Sequence, residues 1–198
     1  MSYDLLLALS VYAFVTSITP GPSNLMLLAS GANFGFARTI PQIFGITIGF
    51  TLLLLGVGLG LGALLVAVPA LHLGLKLGGG AYLLYLAWRI GTSRAPLQQS
   101  EAASRPLNFL ESAAFQWINP KAWVVAMTAI AVYTSPEAPL WSVVLICVAF
   151  AVVNLSSVSV WAGFGVALRG FLSDPSRLKR FNVAMGLLLV ATLWPLLT

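Results

Sequence analysis

The sequence predicts an all-α membrane protein: six transmembrane helices forming two inverted three-helix repeats, with helices one and four broken at prolines. Three observations predict it: a composition too apolar for a water-facing surface, apolar runs of membrane-crossing length, and basic residues confined to alternate connections. Of 198 residues, 59% are hydrophobic and 8% charged, whereas about a quarter are charged in soluble domains. The apolar runs are Leu5 to Ile18, Ile43 to Val68, Leu71 to Ala87, Ala122 to Tyr133, Leu140 to Val153 and Val183 to Leu197. About 20 apolar residues in a helix cross a hydrocarbon layer of about 30 Å, so each run, extended by its neighbours, suffices for one crossing. Residues 1–198 then form a single transmembrane domain whose main partner is the lipid bilayer.

The helices are expected near residues 4–31, 40–68, 70–92, 108–133, 139–168 and 180–198. Ahead of the first, Met1-Ser2-Tyr3-Asp4 lacks the basic segment of a cleaved signal, so that helix is expected to be retained. Thr19-Pro20-Gly21-Pro22-Ser23-Asn24 breaks it, because prolines remove backbone donors and clash with the preceding turn. The second helix carries Gly45, Gly49, Gly56, Gly58, Gly60 and Gly62, a small-residue stripe read as tight packing, with a homo-oligomer interface as the sharper alternative. After the third comes the polar, turn-forming connection 93–107, dividing repeat one (about 1–92) from repeat two (about 108–198). The fourth opens repeat two and is interrupted at Gln116-Trp117-Ile118-Asn119-Pro120-Lys121; the fifth carries Asn154, Ser156, Ser157 and Ser159. The single cysteine, Cys147, lies inside the fifth helix and reads as a small apolar residue.

Basic residues set the orientation. Arg38 follows helix one, Arg89, Arg94 and Arg105 surround the end of helix three, and Arg169, Arg177, Lys179 and Arg180 follow helix five. The opposite side has only Lys76 nearby, so both termini are expected outside and the 93–107 connection inside. These basic residues are spread over short loops, not along one face, which argues against nucleic acid.

Breaks at corresponding positions of two repeats are the strongest sequence pointer to a central binding site, because a broken helix frees carbonyls on one side and amides on the other. The candidate substrate-binding residues are therefore Thr19, Pro20, Gly21, Pro22, Asn24, Asn119, Pro120, Lys121 and Asn154. Lys121 is the sharpest of them, since a lysine near the bilayer centre costs about 2.5 to 3.5 kcal/mol to insert. Either it snorkels to an interface or its ammonium faces an aqueous cavity and is available to a carboxylate. Asn154 and Ser157 share a helix face and either line the path or bond between helices. His72 falls at an outer connection, and Asp4, Glu101, Glu111, Glu137 and Asp174 all lie near segment ends. No metal site, catalytic set or cofactor is expected from such pieces, nor is a carboxylate placed for a mid-membrane proton relay. A carrier of small polar solutes is the first reading; a membrane-embedded enzyme or a channel is the alternative.

Four stretches together resemble the lysine exporter (LysE/RhtB) family of bacterial amino-acid efflux proteins over almost the whole chain. They are Thr19-Pro20-Gly21-Pro22 with Asn24; Gly45 and Gly49 after Arg38; Lys76-Leu77 with Gly79 through Trp88; and Asn119-Pro120-Lys121-Ala122. Trp88 through Ser93, Phe115 through Asn119 and Trp161-Ala162-Gly163 look most like its cysteine/O-acetylserine branch. The resemblance implies a six-helix exporter of amino acids or close derivatives in the bacterial inner membrane, driven by an ion or proton gradient. The outside termini would then be periplasmic. With no mid-membrane carboxylate to receive a second positive charge, small neutral amino acids are the expected substrates.

Overall fold

The computed structural model describes residues 3–92 and 105–193, and prolines set most of its helix boundaries. In order these are α1 (Tyr3–Ile18), α2 (Pro22–Phe34), α3 (Phe36–Gly56), a π-helical turn (Val57–Leu61), α4 (Gly62–Ala67), α5 (Pro69–Gly91), α6 (Phe109–Ile118), α7 (Pro120–Tyr133), α8 (Pro139–Ala167), a 3-10 turn (Phe171–Ser173) and α9 (Pro175–Ala191). Helices α2, α5, α7, α8 and α9 each begin on proline. Its missing N–H costs nothing in a first turn, and its fixed φ suits a helix start. Side-chain caps reinforce three starts: Asn108 and Glu111 form a reciprocal capping box at α6, Asn119 caps α7 and Asp174 caps α9.

The expected helices at 4–31 and 108–133 are each two helices. Between α1 and α2 the chain bends 55° at residues 19–21, and α6 gives way to α7 at Asn119. Three details differ from the sequence reading. Arg38 lies inside α3, because Gly35 alone, at φ +84°, turns the chain from α2 into α3. His72 lies in the first turn of α5, where Pro69 starts the helix. Gly60, at φ +112°, kinks the expected 40–68 helix inside its π turn, just before α4. Most of the expected 93–107 connection, and the end of the 180–198 helix, fall outside the described residues.

The polarity is inverted relative to a water-soluble protein. Gln42, Thr39, Ser112 and Asn182 are fully buried, whereas Trp88, Leu110, Leu140, Trp141 and Leu187 stand exposed. Among the described residues, Phe36–Leu64 and Pro139–Ala167 are each long and apolar enough to cross a membrane, and α1 with α2 qualifies as one bent span.

Helix α8 packs along both α1 and α2, while α3 packs along both α6 and α7. Glycines permit the closest approaches: a Cβ on Gly31 would collide with the Ala162 carbonyl, and one on Gly165 would collide with that of Leu28. Gly45 and Gly49 face the backbone of α6 at Phe109 and Ala113, so this part of the stripe packs inside the molecule rather than toward another copy. The same register gives relative direction. Gly45, Gly49 and Gly56 meet Phe109, Ala113 and Trp117 in turn, so α3 and α6 run parallel. Thr47 meets Asn154 and Thr51 meets Cys147, so α3 and α8 run antiparallel. Tyr133 reaches Ala8 while Lys121 reaches Thr19, so the two broken helices are also antiparallel.

Candidate functional site

The α1–α2 break frees the last carbonyls of α1, and side chains from three other helices claim them. Asn24 Nδ2 donates to Ser17 O (2.8 Å) and Thr19 O (2.9 Å), bridging its own break. Trp161 Nε1 of α8 donates to Ile18 O at 3.0 Å, and Lys121 Nζ of α7 donates to Thr19 O at 2.7 Å. The cation thus sits on the negative end of the α1 dipole, which favours positive charge there. On the other side of the break, the N–H groups of Ser23 and Asn24 in the first turn of α2 find no acceptor among the described residues.

The second break meets the first. Asn119 turns its Oδ1 back to Lys121 N (3.2 Å) as the α7 cap, and its Nδ2 donates to Ser23 Oγ (3.3 Å). The Ser23 hydroxyl donates in turn to Gln116 Oε1 at 3.2 Å. Residues about a hundred positions apart are joined in one polar cluster beside a pocket of about 420 Å³, open mouth included. Its polar wall includes Ser17, Ser23, Gln116, Asn119, Lys121 and Asn154, and its apolar wall is Ile46, Phe50, Ala122, Val125 and Val158. Asn154 is held from both sides, with Nδ2 3.5 Å from Ser17 Oγ and Oδ1 3.4 Å from the Thr47 hydroxyl.

Of the sequence candidates, Gly21, Pro22, Asn24, Asn119, Lys121 and Asn154 line this pocket. Thr19, Pro20 and Pro120 do not: Thr19 takes part through its carbonyl, Pro20 is exposed, and Pro120 serves as the first residue of α7. Lys121 is only partly exposed and is tied to the break, and Gly21 makes room for it, since a Cβ there would lie 2.8 Å from Lys121 Cδ. Thr16, Ser17, Ser23 and Gln116 line the pocket without having been candidates. Their signal was position: each lies within a turn of a break. Ser156 and Ser159 bond carbonyls of their own helix, while Ser157 is buried with no partner for its hydroxyl among the described residues.

Among the described residues no acidic side chain lines the pocket, and no group of three His, Cys, Asp or Glu side chains could hold a metal ion. What the site offers is one ammonium group, unclaimed helix-start amides, carboxamide oxygens and a small apolar wall. That set can bind a carboxylate and an ammonium on one small molecule, and it holds no nucleophile paired with a base.

Comparison with known proteins gives the family of the chain. Residues 14–193 match the LysE type translocator family. The chain is 31% identical over 192 residues to the cysteine/O-acetylserine efflux proteins of Escherichia coli (strain K12) and Shigella sonnei (strain Ss046), covering 96% of each chain. It is 30% identical over the same length to that of Escherichia coli O139:H28 (strain E24377A / ETEC). No solved structure matches significantly. A match across nearly the whole chain, to a family of translocators rather than enzymes, makes this chain a member of the LysE type translocator family.

Proposed function

We propose that this protein exports small neutral amino acids or their derivatives, cysteine and O-acetylserine among them, across the bacterial inner membrane. The observation that carries the reading is the meeting of the two helix breaks at one pocket, where Lys121 is the one charged lining residue among those described. In this reading the substrate carboxylate sits between Lys121 and the free amides of Ser23 and Asn24, and the substrate ammonium faces the oxygens of Gln116 and Asn154. With no carboxylate in the wall, a side chain bearing a second positive charge would be bound without a counter-ion, which disfavours lysine-like substrates.

The architecture we propose is six crossings in two inverted repeats, with lipid covering the apolar exterior and both termini periplasmic. The antiparallel pairing of α3 with α8, and of the two broken helices, supports it, because equivalent elements of inverted repeats must run oppositely. So does α5 against α9, where Gly80 lies near Leu193 and Ala87 near Gly186.

The test is export from preloaded cells carrying the chain, using labelled cysteine, O-acetylserine, serine and lysine against cells carrying an empty vector. Faster release of the neutral compounds, with lysine unchanged, is expected. Release no faster than the vector control for every compound would overturn the proposal.

A further inference from the structure

A second pocket, of about 460 Å³ with its open mouth, lies one to two turns further along α2 and beside the start of α3. Its polar lining is Ser30, Asn33, Gln42, Arg89 and Arg105. Gln42 is fully buried, yet neither Nε2 nor Oε1 finds a hydrogen-bond partner among the described residues. A buried carboxamide with both ends unpaired is costly and rare in a folded protein, so such a group facing a pocket marks something the pocket receives. Arg105 is already neutralised, its guanidinium forking onto Glu111 at 2.7 and 2.8 Å. Arg89 is not: Nη2 donates to Arg105 O at 2.9 Å, and among the described residues it has no carboxylate partner.

We propose that this pocket is a second amino-acid site, occupied on the basic face of the molecule before the solute reaches the central pocket. The proposal rests on the exporter reading above. A planar guanidinium matches a carboxylate in two parallel hydrogen bonds, and the Gln42 amide supplies both an acceptor for the substrate ammonium and a second donor for its carboxylate. The two pockets are neighbours on the same helices. Gln42 and Ile46, one in each pocket, are one turn apart on α3, about 6 Å by helical rise. Ser30 and Asn24 are likewise about 9 Å apart on α2. Between them Ser112 of α6, one turn before Gln116, is fully buried with its hydroxyl also unpartnered among the described residues, packed against Gly45. Gln42, Ser112 and Gln116 thus form a row of polar groups leading from the basic face to the central cluster.

The test reads occupancy at the pocket itself. Ser30→Cys is made in a Cys147→Ala background, the full chain is placed in lipid vesicles, and its modification by a small methanethiosulfonate is timed with and without O-acetylserine. O-Acetylserine is expected to slow modification, and to do so equally in Lys121→Ala. Gln42→Leu and Arg89→Gln should each raise the protecting concentration roughly tenfold, as loss of hydrogen bonds to charged ligand groups requires. Gln42→Leu removes an unpaired buried amide and should fold at least as well as the parent; Arg89→Gln tests the site independently from α5. Protection that vanishes in Lys121→Ala but survives Gln42→Leu and Arg89→Gln would place the ligand in the central pocket alone and overturn the second site. Export of O-acetylserine without any protection would also overturn it, leaving the exporter reading intact, whereas absence of both sinks the two together. Equal protection by inorganic phosphate would reduce the pocket to an anion site and overturn its assignment to amino acids.

Discussion

Lys121 and Gly21 form a single device at the residue scale. The ammonium neutralises the carbonyl end of α1 at Thr19, and the absent side chain at Gly21 leaves the space its aliphatic stem occupies. Because a hydrogen bond to a charged group contributes about 1.5 to 3 kcal/mol, Lys121→Ala should lower export per folded molecule by roughly tenfold or more. Lys121→Arg keeps the charge but brings a larger planar group against Gly21, so it should restore export only in part. Initial export rate divided by the amount of folded protein in the membrane checks both, and full activity in Lys121→Ala would remove the carboxylate role. Gly21 has extended backbone at φ −171°, which any residue adopts, and the first thing a new Cβ meets is the flexible Lys121 chain. Gly21→Ala should therefore fold normally yet displace the ammonium and reduce export several-fold. A Gly21→Ala protein with unchanged export would show that the position of Lys121 does not matter. Residue identity at both breaks was legible in the sequence, since proline chemistry is local. The role of Asn24 was not, because its donors reach back across the break to Ser17 and Thr19, which only the bend brings within range.

Element boundaries obey the same local chemistry. Five helices start on proline, Asn119 and Asp174 cap two of them, and Asn108 caps a sixth, α6, so residue order alone nearly locates these starts. Interior punctuation was harder to read. Gly35 and Gly60 both adopt positive φ, one as a complete connection and one as a kink, and a glycine among many glycines does not announce which it is. Which glycines pack closely is a property of the neighbouring helix. Gly31 and Gly165 bring α2 against α8 so closely that a methyl group at either would penetrate backbone atoms. Overpacking of this kind typically costs about 1 to 3 kcal/mol. Gly165→Ala should therefore lower the melting temperature in detergent, whereas Gly163→Ala, with open space around it, should leave it nearly unchanged. Equal melting of both variants would contradict the proposed tightness of the α2–α8 contact.

For the whole molecule, orientation is the open prediction. Arg89 ends α5, Arg105 precedes α6, Arg169 follows α8, and Arg177, Lys179 and Arg180 open α9, so the basic residues gather at alternate ends of the spans, and basic ends stay in the cytoplasm. Reporters that work only in one compartment, fused after Ser100 and after Thr198, should report inside for the first and outside for the second. An outside result from the Ser100 fusion would overturn the orientation and the placement of the second pocket on the cytoplasmic side. Composition, run length and proline position determined by themselves that the chain is an apolar bundle of helices with two breaks, because helix formation and removal from water depend on local residue types and spacing. Only the tertiary structure decided that the breaks meet, that Lys121 rests on Thr19, and that Gln42 is buried without a partner. Those facts depend on which helix faces which across about a hundred residues of chain, and that pairing follows from the fit of glycine surfaces in three dimensions, which a linear pattern does not carry.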